Sequence, residues 1–132
     1  MPDIYIPAGP ADLIDQMVVV QTLAANAPDA TSRTLYSQRL SQMETLAAEL
    51  LPPHAHRSTA GVTAARTDLL QLEADMRDCE ARSDFGVSFI ALTRAYLAAR
   101  ATLLERKRAF DAAVGPALSP NCDTVGKRDR HA

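Results

Sequence analysis

Apolar residues recur at alternating intervals of three and four on both sides of one short polar break. Before the break, this apolar stripe consists of Val62, Ala65, Leu69, Leu72, Met76 and Cys79. After the break, it consists of Phe85, Phe89, Leu92, Tyr96, Ala99, Leu103 and Phe110. Such spacing keeps apolar side chains on one face of a helix with about 3.6 residues per turn. Two such helices joined by a short turn pack back on each other, so the sequence predicts an antiparallel helical hairpin.

A first helix is predicted upstream of this hairpin. Pro10 suits a first helical turn, and Asp12 and Asp15 suit the positive end of a helix dipole. The helix is expected to end near Asn26, because Pro28 disfavours helical geometry in the residue before it.

The remaining helix boundaries follow from caps and prolines. A second helix, capped by Thr31 or Ser32 and ended by Pro52-Pro53, carries apolar residues at Tyr36, Leu40, Met43, Ala47 and Leu50. A third helix, capped by Ser58 or Thr59, is expected to continue to about Arg82. The fourth is expected from about Asp84 to Val114, where Gly115-Pro116 ends it.

These elements define an all-α fold, an antiparallel bundle of about four helices with a long C-terminal helix. Ile4-Tyr5-Ile6 lies between prolines and predicts a short extended N-terminal segment. Residues 1–115 are expected to form a single domain, which suits a chain of 132 residues. Residues 116–132 are polar and aperiodic, and they predict a disordered tail.

Composition and charge argue against several classes of partner. The net charge of −2 argues against nucleic acid, because that binding depends on clustered Lys and Arg. Uncharged apolar runs such as Met17 to Val20 are far shorter than the roughly 20 residues that a bilayer crossing requires, so no membrane partner is expected. The N-terminus has no basic residue before Arg33, which argues against a secretory signal and favours a cytoplasmic location.

Cysteine and histidine give no convincing metal or cofactor site. Cys79 lies on the apolar stripe and Cys122 in the polar tail, so a buried hydrophobe and an incidental thiol are expected. His54 and His56 have a spacing that can chelate a metal, but no cysteine or carboxylate lies near them in sequence. We therefore expect a solvated histidine pair, with neither a metal nor a cofactor.

Asp84-Phe85-Gly86 matches the magnesium-binding tripeptide of protein kinases. That interpretation requires a Gly-rich loop, a strand lysine and a catalytic loop, none of which occurs in this sequence. A structural turn is predicted instead, with Asp84 as helix cap, Phe85 as an apolar plug and Gly86 allowing close approach. We predict no catalytic residue in this chain.

Two arginines have an ambiguous role. Arg106 occupies a position between Leu103 and Phe110 where an apolar residue is expected. Either helix four extends beyond its partners there and leaves Arg106 in solvent, or Arg106 faces a cavity and binds an anion. Arg39, on helix two, presents the same alternatives. A structure in which Arg39 and Arg106 surround one closed pocket would favour anion binding.

Two segments carry a family resemblance. The first contains Ile4-Tyr5-Ile6-Pro7, Gly9 and Asp12-Leu13-Ile14-Asp15-Gln16, and the second contains Asp84-Phe85-Gly86, Phe89-Ile90, Leu92, Arg94-Ala95 and Tyr96. The chain resembles a family of short, functionally uncharacterised bacterial all-helical proteins, classed as a domain of unknown function. That family has a Gly-Glu-Leu-Ile-Asp-Lys opening and a Gly-Asp-Phe-Gly, Phe-Ile-Glu-Leu-Ala-Arg and Tyr pattern in its second half. The resemblance implies the fold and a bacterial source, without an active site.

The chain also departs from the family pattern. Ser83 stands where a glycine is usual, and residues 97–102 retain a single charge where the family is polar. We expect any functional surface of this chain beyond Ala99, where the apolar stripe is interrupted and the resemblance fails.

Two functions remain open at this level. The sequence favours a non-catalytic protein–protein interaction module, or a self-associating one, which docks through the acidic hairpin end or the overhanging face of helix four. The partner is then an unknown protein or a second copy. The alternative is a small-anion-binding protein or a chorismate-mutase-like helical enzyme that uses interior arginines.

Overall fold

The computed structural model describes residues 9–115, except for the side chains of His56 and Arg57. Within this range the helices are α1 (Pro10–Ala25), α2 (Ala30–Leu50), α3 (Thr59–Ala81) and α4 (Val87–Val114). A 3-10 helix, Pro53–Arg57, leads into α3, and no strand occurs between residues 9 and 115. The predicted all-α fold with four helices and a long C-terminal helix is confirmed. The predicted extended N-terminal segment and the predicted tail lie outside the described residues.

The start of α2 differs from the prediction. Asp29 is the N-cap, and its Oδ1 accepts a hydrogen bond from the Ser32 backbone N–H at 2.6 Å. Thr31 and Ser32, predicted as caps, lie inside the first turn instead. The reason is that a carboxylate three residues before Ser32 satisfies one of the free N–H groups at the start of the helix.

Helix α1 lies between α2 and the α3–α4 hairpin. It packs against all three of these helices, whereas α2 packs mainly against α1. The core lies where α1 crosses the first half of α3 and the last third of α4. Its buried members are Ala11, Ile14, Ala47, Leu51, Ala55, Val62, Ala65, Leu69, Leu103, Phe110 and Val114. Four of these are alanines, which let the helices approach closely.

The apolar stripe predicted for the hairpin faces the helix interface. Its members on α3, and those on α4 from Phe89 onward, are buried or half-buried. Burial decreases toward the turn of the hairpin. Between Glu73 and Thr102, only Cys79 is fully buried. We call residues 73–100 the distal half of the hairpin. It is a two-helix arm whose sides are largely open to solvent.

The turn between α3 and α4 is a Schellman motif. The Asp84 N–H donates to the Cys79 carbonyl at 2.9 Å, and the Ser83 N–H donates to the Glu80 carbonyl at 3.1 Å. Ser83 adopts a left-handed conformation with φ of 54°, which this motif requires and which favours glycine.

The roles predicted for the three turn residues need correction. Helix α4 begins at Val87 with Gly86 as N-cap, and the Asp84 carboxylate accepts from the Gly86 N–H at 3.3 Å. Asp84 therefore closes the turn and does not cap the helix. Phe85 is 53% exposed and contacts Phe89 edge-to-face, so it is not a buried plug. A Cβ on Gly86 would meet only Asp84, at 3.6 Å, so no close approach requires this glycine.

Replacing Ser83 by Gly is expected to stabilise the protein by about 0.5–1 kcal/mol, because a left-handed backbone is strained for residues with a Cβ. Urea denaturation measures the change. The matched control is Ser83→Ala, which keeps the Cβ and should bring no gain. Equal stabilities for the glycine and alanine variants would contradict the claim that the backbone of Ser83 is strained.

Candidate functional site

A cluster of four charged side chains joins α1 to the hairpin, and we call it the ion cluster. Asp15 lies at its centre and is 1% exposed. Arg66 donates to both carboxylate oxygens of Asp15, with Nε–Oδ1 and Nη2–Oδ2 distances of 2.5 and 2.8 Å. Lys107 Nζ lies 3.1 Å from Asp15 Oδ2 and 2.6 Å from Asp12 Oδ1. Three helices are thereby connected through one buried carboxylate.

Asp15, Arg66 and Lys107 lie on the side of their helices that faces the core, whereas the Asp12 side chain is partly exposed. Asp15 shares the inner face of α1 with Ala11, Ile14 and Val18; Arg66 follows Ala65 on α3; and Lys107 lies one turn after Leu103 on α4. The 3.6-residue period therefore points these polar side chains toward one another across the helix interfaces.

The four charges shift one another's pKa values. Burial alone would raise the pKa of Asp15, but hydrogen bonds from Arg66 and Lys107 outweigh burial and lower this pKa. The hydrogen bond from Lys107 lowers the pKa of Asp12. Burial opposes the charge of Lys107, yet its bonds to Asp12 and Asp15 raise its pKa. All four groups are therefore held in their charged forms.

The ion cluster is electrically balanced, since two carboxylates meet two cations. No buried side-chain nitrogen or oxygen in the described part of the chain lacks a hydrogen-bond partner. A general acid or base needs a pKa near the working pH, whereas these shifts move the carboxylates and the lysine away from neutrality. The arrangement fixes α1 on the hairpin and offers no group for proton transfer.

A second polar contact fixes α4 to the start of α1. Asp111 Oδ1 accepts from the Ala11 N–H at 2.8 Å, where the α1 dipole favours a negative charge. A Cβ on Gly9 would lie 2.5 Å from Asp111 Oδ2, so the glycine makes room for this carboxylate. Together with Lys107, Asp111 anchors the last third of α4.

Acid is expected to unfold the protein through the ion cluster. The folded-state pKa values of Asp12 and Asp15 lie below the ordinary value of 3.8. Their contribution to stability is therefore complete above that value and is lost as pH falls through the folded-state pKa values. Urea denaturation from neutral pH down to about pH 2 should show this loss below about pH 4. The stability of the Asp15→Asn variant should fall less steeply with decreasing pH than that of the wild type. Equal slopes for the two proteins would contradict the assignment of this loss to the ion cluster.

A groove of about 680 Å³ runs between α3 and α4 next to the ion cluster. Arg66 and Lys107 line one end, but both are already paired with carboxylates. Arg100 lines the other end together with Glu73. The groove therefore offers little net positive charge to an anion, and its apolar lining includes Leu97 and Leu104.

A second stripe with three-and-four spacing runs along the solvent side of α4, and we call it the docking stripe. All its members are exposed: Val87, Ile90, Arg94, Leu97, Ala101 and Leu104. Val87 is 86% exposed and Leu97 is 60% exposed, although both are large apolar side chains. At about 100° per residue, Val87 and Arg94 point almost opposite to the buried stripe of α4, whereas Leu97 and Leu104 lie nearer to α3 and line the groove beside it. Helix α4 therefore presents apolar residues on two faces, of which α3 covers one.

The two arginines singled out in the sequence are both exposed. Arg106 donates to the Gly61 carbonyl at 3.0 Å, and Arg39 lies on the outer side of α2. Neither residue lines the groove between α3 and α4. The cation that α4 directs inward is the next residue, Lys107. The prediction that Arg39 and Arg106 bind an anion stays untested.

The cysteines and histidines add nothing to this site. Cys79 is buried on the hairpin stripe, and His54 is exposed in the 3-10 helix. The His56 side chain and Cys122 lie outside the described part of the structure. The ion cluster was not predicted, because Asp12 and Asp15 were assigned to the dipole of the first helix. The signal was present in the sequence, since Asp15 interrupts the apolar face of α1.

Helix α4 is also long enough and apolar enough to cross a membrane, judged by length and composition alone. Almost none of its most apolar stretch is buried. A helix with apolar residues on two faces passes the same test without entering a bilayer, so this is weak evidence. The expectation of no membrane partner remains a prediction.

Comparison with family models, with curated proteins and with solved structures finds no match for this chain. The family resemblance drawn from the residue patterns therefore stays a prediction. The function has to be argued from the geometry described above.

Proposed function

We propose that this protein is a non-catalytic protein–protein interaction module that docks through the exposed side of α4. The observation that carries this proposal is the docking stripe, because four large apolar side chains are half or more exposed there. Apolar side chains exposed along one line are typical of surfaces that a partner covers. Most of this surface lies before Ala99, whereas the sequence analysis predicts a functional surface beyond Ala99.

The division of α4 into two parts supports this function. The last third is held by Phe110 and Val114 in the core and by Lys107 and Asp111 on α1. The part before Thr102 contacts α3 on one face and leaves the other face open. A helix fixed at one end and open at the other can present a preformed surface, which lowers the entropic cost of binding.

The alternative, a small-anion-binding protein or an enzyme of the chorismate-mutase type, has less support. Its two predicted cations, Arg39 and Arg106, lie at the surface. The two inner cations, Arg66 and Lys107, are neutralised by Asp15 and Asp12. A bound anion would have to displace these carboxylates.

Site-specific photo-crosslinking in the source cells tests the proposed function. A photoreactive phenylalanine derivative replaces Leu97 on the docking stripe or, as the matched control, Leu35 on α2. Leu35 is 54% exposed, and its helical neighbours are Thr31, Ser32, Gln38 and Arg39. We expect a discrete protein adduct from position 97 and none from position 35. Absence of an adduct at position 97, or the same adducts from both positions, would contradict the proposal.

A further inference from the structure

We propose that a pocket between α1, α2 and the start of α3 binds a small apolar molecule that carries one positive charge. This inference goes beyond the proposed function, because no residue of α4 lines the pocket. Three observations carry it: an apolar floor fixed by the core, a volume that suits a small molecule, and one carboxylate that forms no ion pair in the described structure.

The floor of the pocket is apolar and rigid. Its large apolar side chains come from α1 and α2: Ile14, Met17, Val18, Leu40 and Leu51. Ile14 and Leu51 also belong to the hydrophobic core, so packing fixes them before any ligand arrives. A preformed site lowers the entropic cost of binding.

Small side chains keep the pocket open. Ala47 and Ala48 line it from α2, and Thr59 and Thr63 line it from α3. Helix α2 packs mainly against α1, so it does not close the gap to α3. The pocket is therefore a consequence of how the first three helices pack.

Glu44 determines which charge the pocket accepts. Among the described residues that line the pocket, it is the only charged one. Its neighbours on the same side of α2, Leu40, Ala47 and Ala48, are uncharged, and no salt bridge in the described structure involves Glu44. The carboxylate repels an anion, whereas an ammonium group bound to it leaves the apolar part of the same molecule on the floor.

The volume of the pocket limits the size of the ligand. A pocket of about 280 Å³ holds roughly nine non-hydrogen atoms, if each takes the ~30 Å³ of a water molecule in the liquid. Phenethylamine has this size, an apolar ring and one ammonium group. It is the probe for this site, with 2-phenylethanol as its neutral counterpart and phenylacetate as its anionic one.

Titration of the full chain with each probe, followed through the amide chemical shifts, tests the proposal. With phenethylamine, the largest shift changes are expected in residues 14–21, 44–51 and 59–63. We expect phenethylamine to bind about fivefold more tightly than 2-phenylethanol, the upper range for one partly exposed ion pair, and phenylacetate not to bind there. Equal affinities for the three probes would overturn the proposal.

Two variants separate the charge of the pocket from its space. Glu44→Gln should remove the preference for phenethylamine and leave 2-phenylethanol bound. Ala48→Phe should weaken both probes by at least about tenfold, because the new ring takes the place of the ligand. A charge preference that survives Glu44→Gln, or unchanged binding by Ala48→Phe, would overturn the proposal.

The matched control for the blocking variant is Ala98→Phe, at an exposed alanine of α4. It should leave the affinities for both probes unchanged, and circular dichroism checks that all three variants remain folded. Shift changes confined to residues 87–104 would place the probe on α4 and overturn the pocket. That outcome is distinct from failure of the proposed function, which the photo-crosslinking at position 97 measures.

Discussion

Replacing Asp15 by Asn is expected to lower the free energy of unfolding by about 3–5 kcal/mol, the range for breaking a buried ion pair from one side. The amide keeps the size of the carboxylate but removes the charge that neutralises Arg66 and Lys107. Both cations are only about one-fifth exposed, so water cannot fully replace the lost partner. Urea denaturation monitored by circular dichroism measures the change, with an unchanged denaturant slope.

Asp12→Asn is the matched control for this prediction. The Asp12 side chain is 44% exposed and contacts only Lys107 within the ion cluster. Exposed ion pairs contribute little, so a loss below about 1 kcal/mol is expected. Equal losses for the two variants would contradict the central position of Asp15, as would a neutral effect of Asp15→Asn.

Phe110→Ala is expected to destabilise the protein by about 3–5 kcal/mol, the usual range for removing a buried aromatic ring. Phe110 lies in the core beside Val114, where α1 crosses the end of α4. The smaller side chain leaves a cavity that the neighbouring helices, already fixed by the ion cluster, cannot close. Thermal and urea denaturation at low protein concentration measure the loss.

Phe85→Ala provides the comparison at the other end of the hairpin. Phe85 is half-exposed and packs edge-to-face on Phe89, so its removal in the monomer should cost less than about 1.5 kcal/mol. A similar loss at both positions would mean that the distal half carries as much of the monomer's stability as the core. It would contradict the division of α4 into an anchored part and an open part.

Much of the fold could be predicted from local patterns. The alternating three-and-four spacing indicated the hairpin, and Pro10, Pro28 and Pro52 placed the ends of the first two helices. The α2 cap was missed, because Ser32, Thr31 and Asp29 compete within one turn and only the backbone geometry decides among them. Phe85 was misjudged, because the spacing continues into a turn where the helical period no longer applies.

The candidate site depended more on tertiary structure. Asp15, Arg66 and Lys107 lie on three different helices, and nothing in the pattern of any one helix indicates that they interact. Their ion pairs form only because α1 lies across the hairpin. The docking stripe has the same spacing as the buried stripe of α4. Periodicity identified the stripe that faces α3, but it gave no indication that α4 carries a second apolar stripe exposed to solvent.

Hydrogen exchange read by mass spectrometry tests the central claim most directly, namely that α4 has an anchored end and an open end. Amides between 103 and 114 should be more protected than those between 87 and 100, because only the former lie over the core. Uniform protection along α4, or stronger protection in residues 87–100, would contradict the claim.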